Sequence, residues 1–320
     1  MENEIKVSVI CLAYNHAKYI RKCLDGFVMQ KTNFKYEVLV HDDASTDDTA
    51  KIIKEYELKY PDIIKPIYQT ENQYSKGVKI TQHILVPRTK GKYIAFCEGD
   101  DYWCDENKLQ TQVDSMDANP DCKMSVHKVL IINEEGVSIN TTMPAFELQT
   151  GSIAGEKLIE KTLNTSFQTS SYMMVGKELR EMMAHLPRFY QIAPVGDKCM
   201  MLYFETIGNI YYIDSIFSCY RKGSIGSWSS RTSQPEAIAK HSKRMIDTLE
   251  EFNKYTNYSH KVVQQEINKI KIRVYCIEKN YKAVLAKELR KEFSQMNRKE
   301  KTLIYLCAKV PRLMKILKKI

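Results

Sequence analysis

Nowhere in the 320 residues do eighteen apolar residues run together, so no segment reads as a membrane-spanning helix. A CxxC pair is missing as well. The nine cysteines are scattered without metal-ligand spacing, which argues against a cysteine zinc site or a dithiol redox motif, and reduced core thiols in a cytosolic compartment are expected. There is no internal repeat and no low-complexity stretch, which excludes a solenoid or a tail of biased composition. The opening MENEIKVSVICLAYN is acidic and runs straight into a strand, so neither a secretory nor a transit peptide is expected there. The first strand is also not followed by a glycine-rich, lysine-bearing phosphate loop, since Ala13-Tyr14-Asn15-His16 stands in that place.

What remains is an ordinary globular composition. Hydrophobic residues make up 43% and charged residues 27%, enough apolar material for a full core. The net charge of +9 is unevenly placed. Lys240 to Ile320 holds 21 basic and 8 acidic residues, which leaves the first 239 residues at −4.

Along the chain, apolar runs alternate with helical stripes. Lys6 to Ala13 reads as a strand covered on both faces. Ile20, Cys23, Leu24, Phe27 and Val28 form the stripe of a helix that Asn15 is positioned to cap. Tyr36 to Val40 is a second strand, ending in His41-Asp42-Asp43. Ser45 and Asp48 have capping-box spacing for a helix that buries Ile53, Tyr56 and Tyr60. Asp42 and Asp43 are not needed by that box. Ile63 to Tyr68 is a third strand, and Gly77 to Val86 a short helix or irregular link before Pro87. Tyr93 to Cys97 is a fourth strand, followed by a helix from Asp105 with Leu109, Val113 and Met116 inward. Such an order predicts a parallel sheet with helices on both faces, and strand ends at Tyr14, Asp42 and Asp100 that open on one edge.

The stretch Gly91 to Trp103, GKYIAFCEGDDYW, is the most telling. A short buried strand delivers Glu98, Asp100 and Asp101 to the edge where open α/β sheets bind ligands. Acids so close together repel. One reading is a solvated acidic turn; the other is a site for a hard divalent cation, Mg²⁺ or Mn²⁺, which takes one or two carboxylates plus water and phosphate oxygens.

Three stretches in order, SVICLAYNHAKYIRKCLDGFVMQ, YEVLVHDDASTDDT and GKYIAFCEGDDYW, together resemble the nucleotide-binding half of the family 2 glycosyltransferases, which have the GT-A fold. The resemblance runs from about Val7 to Asn133 and more loosely to Ser229. It implies that Ala13, Tyr14 and Asn15 hold the nucleobase, that Asp42 accepts from the base ring with Asp43 beside it, and that Asp100 and Asp101 serve the ribose and the cation on the diphosphate. The family's D-x-D-D is Glu98-Gly99-Asp100-Asp101 here, with Glu98 a departure. A second departure is the missing Ala-Arg-Asn between Lys79 and Pro87, for which Arg88 is the available substitute.

Inverting transfer needs a base to take the acceptor's proton. The resemblance points to Asp197, in Pro194-Val195-Gly196-Asp197, with Glu205 next in line; the alternative for Asp197 is an acid that merely complements a helix N-terminus. Thr165 to Val175 reads as a strand beside the sugar pocket, and Asn209 to Arg221 as two short strands around Asp214-Ser215. The segment Tyr220 to Ser229 can close over the donor, Arg221 or Lys222 meeting the diphosphate and Trp228 covering a sugar face, or it is an exposed linker. His127 reads as a hydrogen-bonded structural residue.

From Pro235 the composition turns to Lys, Arg, Glu, Ile and Leu. The expected organisation is therefore a GT-A domain over 1–234, with a nucleotide-binding half to about 133 and an acceptor half beyond it, and a basic helical extension over 235–320. Leu303 to Ile320 mixes apolar residues with cations: either a segment that lies on an anionic membrane or a packing helix. Taken together, these features predict a metal-dependent inverting glycosyltransferase. It would move a sugar, from a UDP-sugar by preference, to a saccharide or lipid-linked saccharide in surface polysaccharide or lipopolysaccharide synthesis, in the cytoplasm or on the inner face of the cell membrane. A non-catalytic nucleotide-sugar or glycan binder and a nucleotidyltransferase are the alternatives. A nucleic-acid partner is not expected, because it leaves the acidic crevice without a purpose.

Overall fold

The computed structural model describes residues 4–165, 167–223 and 234–309. They form two compact units, Met1–Leu186 with Met200–Ile225, and Pro187–Cys199 with Gly226–Ile320.

The first unit is built on one ten-stranded sheet. Its opening half is β1 (Ile5–Ala13), β2 (Lys35–Asp42), β3 (Ile64–Tyr68) and β4 (Tyr93–Phe96), in the order β3-β2-β1-β4 and all parallel. Helices α1 (Ile20–Val28), α2 (Thr49–Lys59) and α3 (Lys108–Ala118) send Leu24, Phe27, Ile53, Leu109 and Val113 into one core with Val7, Val9, Val38, Val40 and Ala95. This core covers one face of β1 and β2; on the other, Ser8 Oγ donates to the buried Glu37 Oε1 at 2.7 Å. Helix α1 also needs Gly26, where a Cβ would lie 2.7 Å from the Trp103 carbonyl oxygen.

The other half is mixed, so the sheet as a whole is parallel in its opening half and mixed beyond it. β9 (Met173–Val175) inserts between β4 and β6 (Cys122–Ile132), antiparallel to both. β10 (Asn209–Arg221) runs parallel to β6 and carries the two-residue β5 (Tyr102–Trp103) antiparallel on its far side. β7 (Ser138–Met143) pairs with β6, and β8 (Gly151–Ala154) with β10. The two short strands expected over 209–221 are one strand, whose pairing with β6 shifts register between Ile213 and Ile216, so Asp214-Ser215 is a bulge. The strand expected from Thr165 shrinks to β9, preceded by a 3₁₀ turn over Thr169–Ser171.

Helices α4 (Gly155–Asn164) and α5 (Gly176–Ala184) complete this unit with most of α7 (Asp197–Ile207). Two expected caps are replaced. Tyr19 precedes α1 and Asp48 precedes α2, neither with a side-chain cap bond. Asn15 and Ser45 instead bond to each other's loop: the Asn15 amide donates to Ser45 Oγ at 2.9 Å, and the Thr46 amide to Asn15 Oδ1 at 2.8 Å.

The second unit is helical. It contains α6 (Arg188–Ile192), the first turn of α7, α8 (Pro235–Tyr255), α9 (Lys261–Ile277), α10 (Tyr281–Val284), α11 (Arg290–Gln295) and α12 (Arg298–Lys309). Ile272, Val284, Leu289 and Ile304 form a core that joins α9 to the last helices. No described helix is long and apolar enough to cross a membrane.

Candidate active site

Parallel pairing aligns the carboxyl ends of β1, β2 and β4. Ala13 lies opposite Asp42, and the Asp43 amide donates to the Ala13 carbonyl at 3.0 Å. The Cys97 and Gly99 amides donate to Ile10 and Leu12 carbonyls at 3.1 and 2.8 Å, which carries the acid turn alongside. The sheet thus brings together the three loops that the sequence leaves up to 87 positions apart, from Ala13 to Asp100.

The first two loops are stitched into one wall. His16 and Ala17 amides donate to Thr49 Oγ1 at 2.8 Å and Asp47 Oδ2 at 3.0 Å, and Asn15 takes the left-handed φ of 54° that the turn requires. Tyr14 stands out from this wall, 44% exposed. Beside it Asp42 is 2% exposed; its Oδ2 accepts from the Ser45 amide at 3.3 Å, while Oδ1 is buried with no hydrogen-bond partner among the described residues. Leaving a carboxylate oxygen so costs on the order of 1–3 kcal/mol, a cost that a ligand N–H would remove.

Asp43 faces elsewhere. Its oxygens accept from the Gln73 and Tyr74 amides at 2.7 and 3.0 Å, and its carbonyl from Asn72 Nδ2 at 3.1 Å. The Asp43 carboxylate thus clamps the loop after β3.

The acid turn is held from behind. Asp101, 2% exposed, accepts from the Arg221 amide at 2.7 Å and from Gln168 Nε2 at 2.8 Å. Burial, and then Asp100, push its carboxyl well above the ordinary value. Gln168 is fixed by the Ser170 amide at 2.6 Å, Ser170 Oγ meets Ser218 Oγ at 2.7 Å, and Trp103 Nε1 donates to the Ser170 carbonyl at 3.1 Å. Asp101, expected as a cation ligand, therefore gives both oxygens to protein donors. Asp100 is the half-buried acid of the turn and Glu98 the exposed one.

Arg221 lies behind the same turn. It is 5% exposed, and its guanidinium donates to three backbone carbonyls, Asp100 at 3.0 Å, Asn133 at 3.2 Å and Glu134 at 2.6 Å, while resting over the Tyr19 ring at 4.6 Å. Through Nε and Nη1, Arg221 helps to position the turn. Trp228 lies outside the described residues.

His16 crosses the crevice to Gly99, where a Cβ would fall 2.8 Å from His16 Nδ1 and 3.1 Å from the Leu12 carbonyl oxygen. Burial lowers its pKa, with Asp100, Asp47 and Asp42 opposing. Arg88 is exposed and donates to the Ile84 carbonyl at 2.6 Å. His127 is buried, with Nδ1 2.9 Å from the Lys128 carbonyl oxygen and Nε2 without a hydrogen-bond partner among the described residues.

Two buried contributors escape sequence reading. Gln168 is a polar residue in a loop like many others. Lys108 begins α3 where a solvated cation is normal, yet it is fully buried, donates to Gln112 Oε1 at 2.5 Å and sits 4.0 Å from the Trp103 ring centroid; burial lowers its pKa to about 7.

Asp197 belongs to the second unit, as the first residue of α7, and its Oδ1 lies 2.7 Å from the Lys198 amide. Glu205 is 1% exposed in the first unit and accepts from Thr162 Oγ1 at 2.5 Å, a link between α7 and α4.

No group of three or more His, Cys, Asp and Glu among the described residues is arranged to hold a metal by itself. The acid turn nevertheless suits a hard cation. Such an ion needs one or two carboxylates and completes its shell with water and phosphate, and Asp100 and Glu98 beside a buried Asp101 concentrate negative charge there.

Residues 8–181, more than half of the chain, match the family described as glycosyl transferase family 2. The sequence is 42% identical over 130 residues to an uncharacterised protein of Mycobacterium tuberculosis, covering 41% of this chain and 37% of that one. It is 30% identical over 141 residues to the putative teichuronic acid biosynthesis glycosyltransferase TuaG of Bacillus subtilis, covering 44% and 53%. The chain thus spans only about a third to a half of the length of these relatives. Among solved structures, S. aureus TarS in complex with UDP-GlcNAc superposes with a TM-score of 0.60 at 18% identity over 89% of this chain and 78% of that one. The mannosyltransferase PcManGT of Pyrobaculum calidifontis, with GDP-Man and Mn²⁺, gives 0.53 at 15% identity over 97% and 87%. The sheet, its ligand edge and these matches lead to one conclusion: the fold is GT-A, and this chain belongs to glycosyl transferase family 2.

Proposed function

We propose that the protein transfers a sugar, with inversion, from a nucleoside diphosphate sugar, a UDP-sugar by preference, to a hydroxyl of a saccharide or lipid-linked saccharide during surface polysaccharide or lipopolysaccharide assembly. The observation that carries this reading is the Oδ1 of Asp42, without a hydrogen-bond partner among the described residues and buried at the sheet edge beside the exposed ring of Tyr14. A carboxylate oxygen there matches a base-ring N–H, and Tyr14 offers the ring a stacking face. UDP-GlcNAc in TarS and the teichuronic acid assignment of TuaG support the donor and the polysaccharide setting.

Asp100 is the residue that would hold a divalent cation, Mg²⁺ or Mn²⁺, a choice supported by the Mn²⁺ of PcManGT. When bound, the cation neutralises the departing nucleoside diphosphate. Asp101, Gln168 and Arg221 keep the Asp100 turn in place. Asp197 would take the proton of the acceptor hydroxyl, a task that typically supplies about 10² to 10⁴ in rate.

The test is a screen of UDP-glucose, UDP-N-acetylglucosamine and GDP-mannose with Mn²⁺, Mg²⁺ or EDTA, read by thermal shift and nucleotide release. A donor that stabilises only with metal, is turned over, and loses both effects in Asp100→Ala is expected. Asp197→Asn should keep donor binding and lose turnover. If no nucleotide sugar shifts the melting temperature with any metal, the transferase reading fails; if one binds but is never cleaved, the non-catalytic binder takes its place.

For the tail, we propose contact with the inner face of the cell membrane. Leu303, Tyr305 and Leu306 of α12 are 47%, 52% and 46% exposed among basic neighbours, and each Lys or Arg near an anionic surface adds about 1 kcal/mol. Deleting the residues after Leu303 should abolish flotation with phosphatidylglycerol vesicles; unchanged flotation would sink this part.

A further inference from the structure

The segment Pro187–Cys199, which carries Asp197, groups with the C-terminal helices and not with the sheet that binds the donor. Its packing explains why. Phe189 of α6, 1% exposed, meets Phe252 of α8 edge-on, with ring centroids 5.1 Å apart at 75°, and lies 5.2 Å from the Tyr255 ring. Helix α6 is five residues long, so its last carbonyls need donors from elsewhere. Arg244 of α8 supplies them: Nη2 donates to the Ile192 carbonyl at 3.3 Å and to the Ala193 carbonyl at 3.2 Å.

The path from this contact to the base is short and stiff. Ala193 is extended, with ψ of 139°, and only Pro194, Val195 and Gly196 separate it from Asp197. Proline fixes its own φ, and Gly196 rests on Tyr190, whose Oη would be 2.8 Å from a Cβ at that position. A shift of the Ala193 carbonyl has little slack in which to dissipate before it reaches the carboxylate.

We propose that Arg244 is a positioning residue for the reaction: from the C-terminal helical unit, it bolts the turn that aims Asp197. The extension is then part of the transfer apparatus, whatever it does at a membrane. This inference rests on Asp197 being the base.

The experiment uses the full chain with Mn²⁺ and whichever of UDP-glucose, UDP-N-acetylglucosamine and GDP-mannose is turned over in the screen above. It compares wild type, Arg244→Ala, Arg244→Lys and Asp197→Asn for nucleotide release and for nucleoside diphosphate affinity by calorimetry. Misplacing a catalytic group by about 1 Å costs up to about 10²-fold, so Arg244→Ala should lower kcat by about 10- to 100-fold. Affinity for the nucleotide should stay within about twofold, because the substitution shares no partners with the donor loops. Added guanidinium should restore part of kcat in Arg244→Ala, and Arg244→Lys should fall between. A merely structural role would move the affinity and melting temperature together and would not answer to guanidinium. If Asp197→Asn is inactive while Arg244→Ala keeps wild-type kcat, or loses donor affinity in step with it, the positioning inference is overturned and the base assignment stands. If Asp197→Asn turns over normally, the base assignment itself has failed and the inference falls with it.

Discussion

Replacing Arg221 by alanine separates two roles that the sequence could not. As a clamp, Arg221 contributes three charge-assisted hydrogen bonds to the carbonyls of Asp100, Asn133 and Glu134 and a stacking contact with Tyr19. Each such bond is worth about 1.5–3 kcal/mol when nothing replaces it, and the stacking about 0.5–1 kcal/mol. All three carbonyls belong to residues of intermediate exposure, so water recovers part of the loss. The backbone bond from residue 221 to Asp101 also survives the substitution. The net loss should therefore be about 2–4 kcal/mol. Urea unfolding followed by Trp103, in a Trp228→Phe background, reads this as a lower midpoint at unchanged slope. Calorimetry on the same protein adds the decisive comparison. A clamp positions the whole turn, so affinities for uridine and for UDP with Mn²⁺ should fall together. A diphosphate ligand would leave the urea midpoint where it was and weaken UDP alone; that result would refute the clamp.

Three further outcomes follow from the same geometry. Asp42→Asn should cost UDP affinity about 10- to 100-fold by calorimetry, the value of a hydrogen bond to a charged group, and leave stability nearly unchanged because Oδ1 has no protein partner to lose. Gly99→Ala should lower stability by about 1–3 kcal/mol through the contact of its Cβ with His16 and Leu12, and His16→Ala added to it should restore part of the loss in thermal unfolding. Burial lowers the Lys108 pKa from 10.5 to about 7, so above pH 7 the unfolded chain binds the extra proton and the folded one does not. Stability should then rise with pH across that window by at most about 1.4 kcal/mol per unit, a slope absent from the urea-derived free energies of Lys108→Met.

Much of the first half was legible in the chain. Strands β1, β2, β3 and β4 and the stripes of α1, α2 and α3 stand where the apolar pattern put them, to within a few residues. The second half was less so. The three residues of β9 are too few to show a period, and a bulge at Asp214-Ser215 looks like a break between strands when only the pattern is read. Capping spacing also misled at Ser45 and Asn15, because those side chains found partners across two loops and a local rule sees only one.

The sequence by itself determined that Tyr14, Asp42 and Asp100 end the first, second and fourth strand units, and hence that parallel pairing must bring them to one edge. That much follows from periodicity and chain direction, which are local. Only the tertiary structure decided what each side chain spends its polar atoms on. Asp42 and Asp43 are adjacent and identical in type, yet one keeps a buried oxygen without a partner among the described residues and the other is consumed by the amides of Gln73 and Tyr74. Arg221 and Lys108 look like surface cations and are buried. Hydrogen-bond partners come from residues up to 121 positions away, as the Arg221 guanidinium does for the Asp100 carbonyl, and no pattern along the chain encodes which donor arrives first.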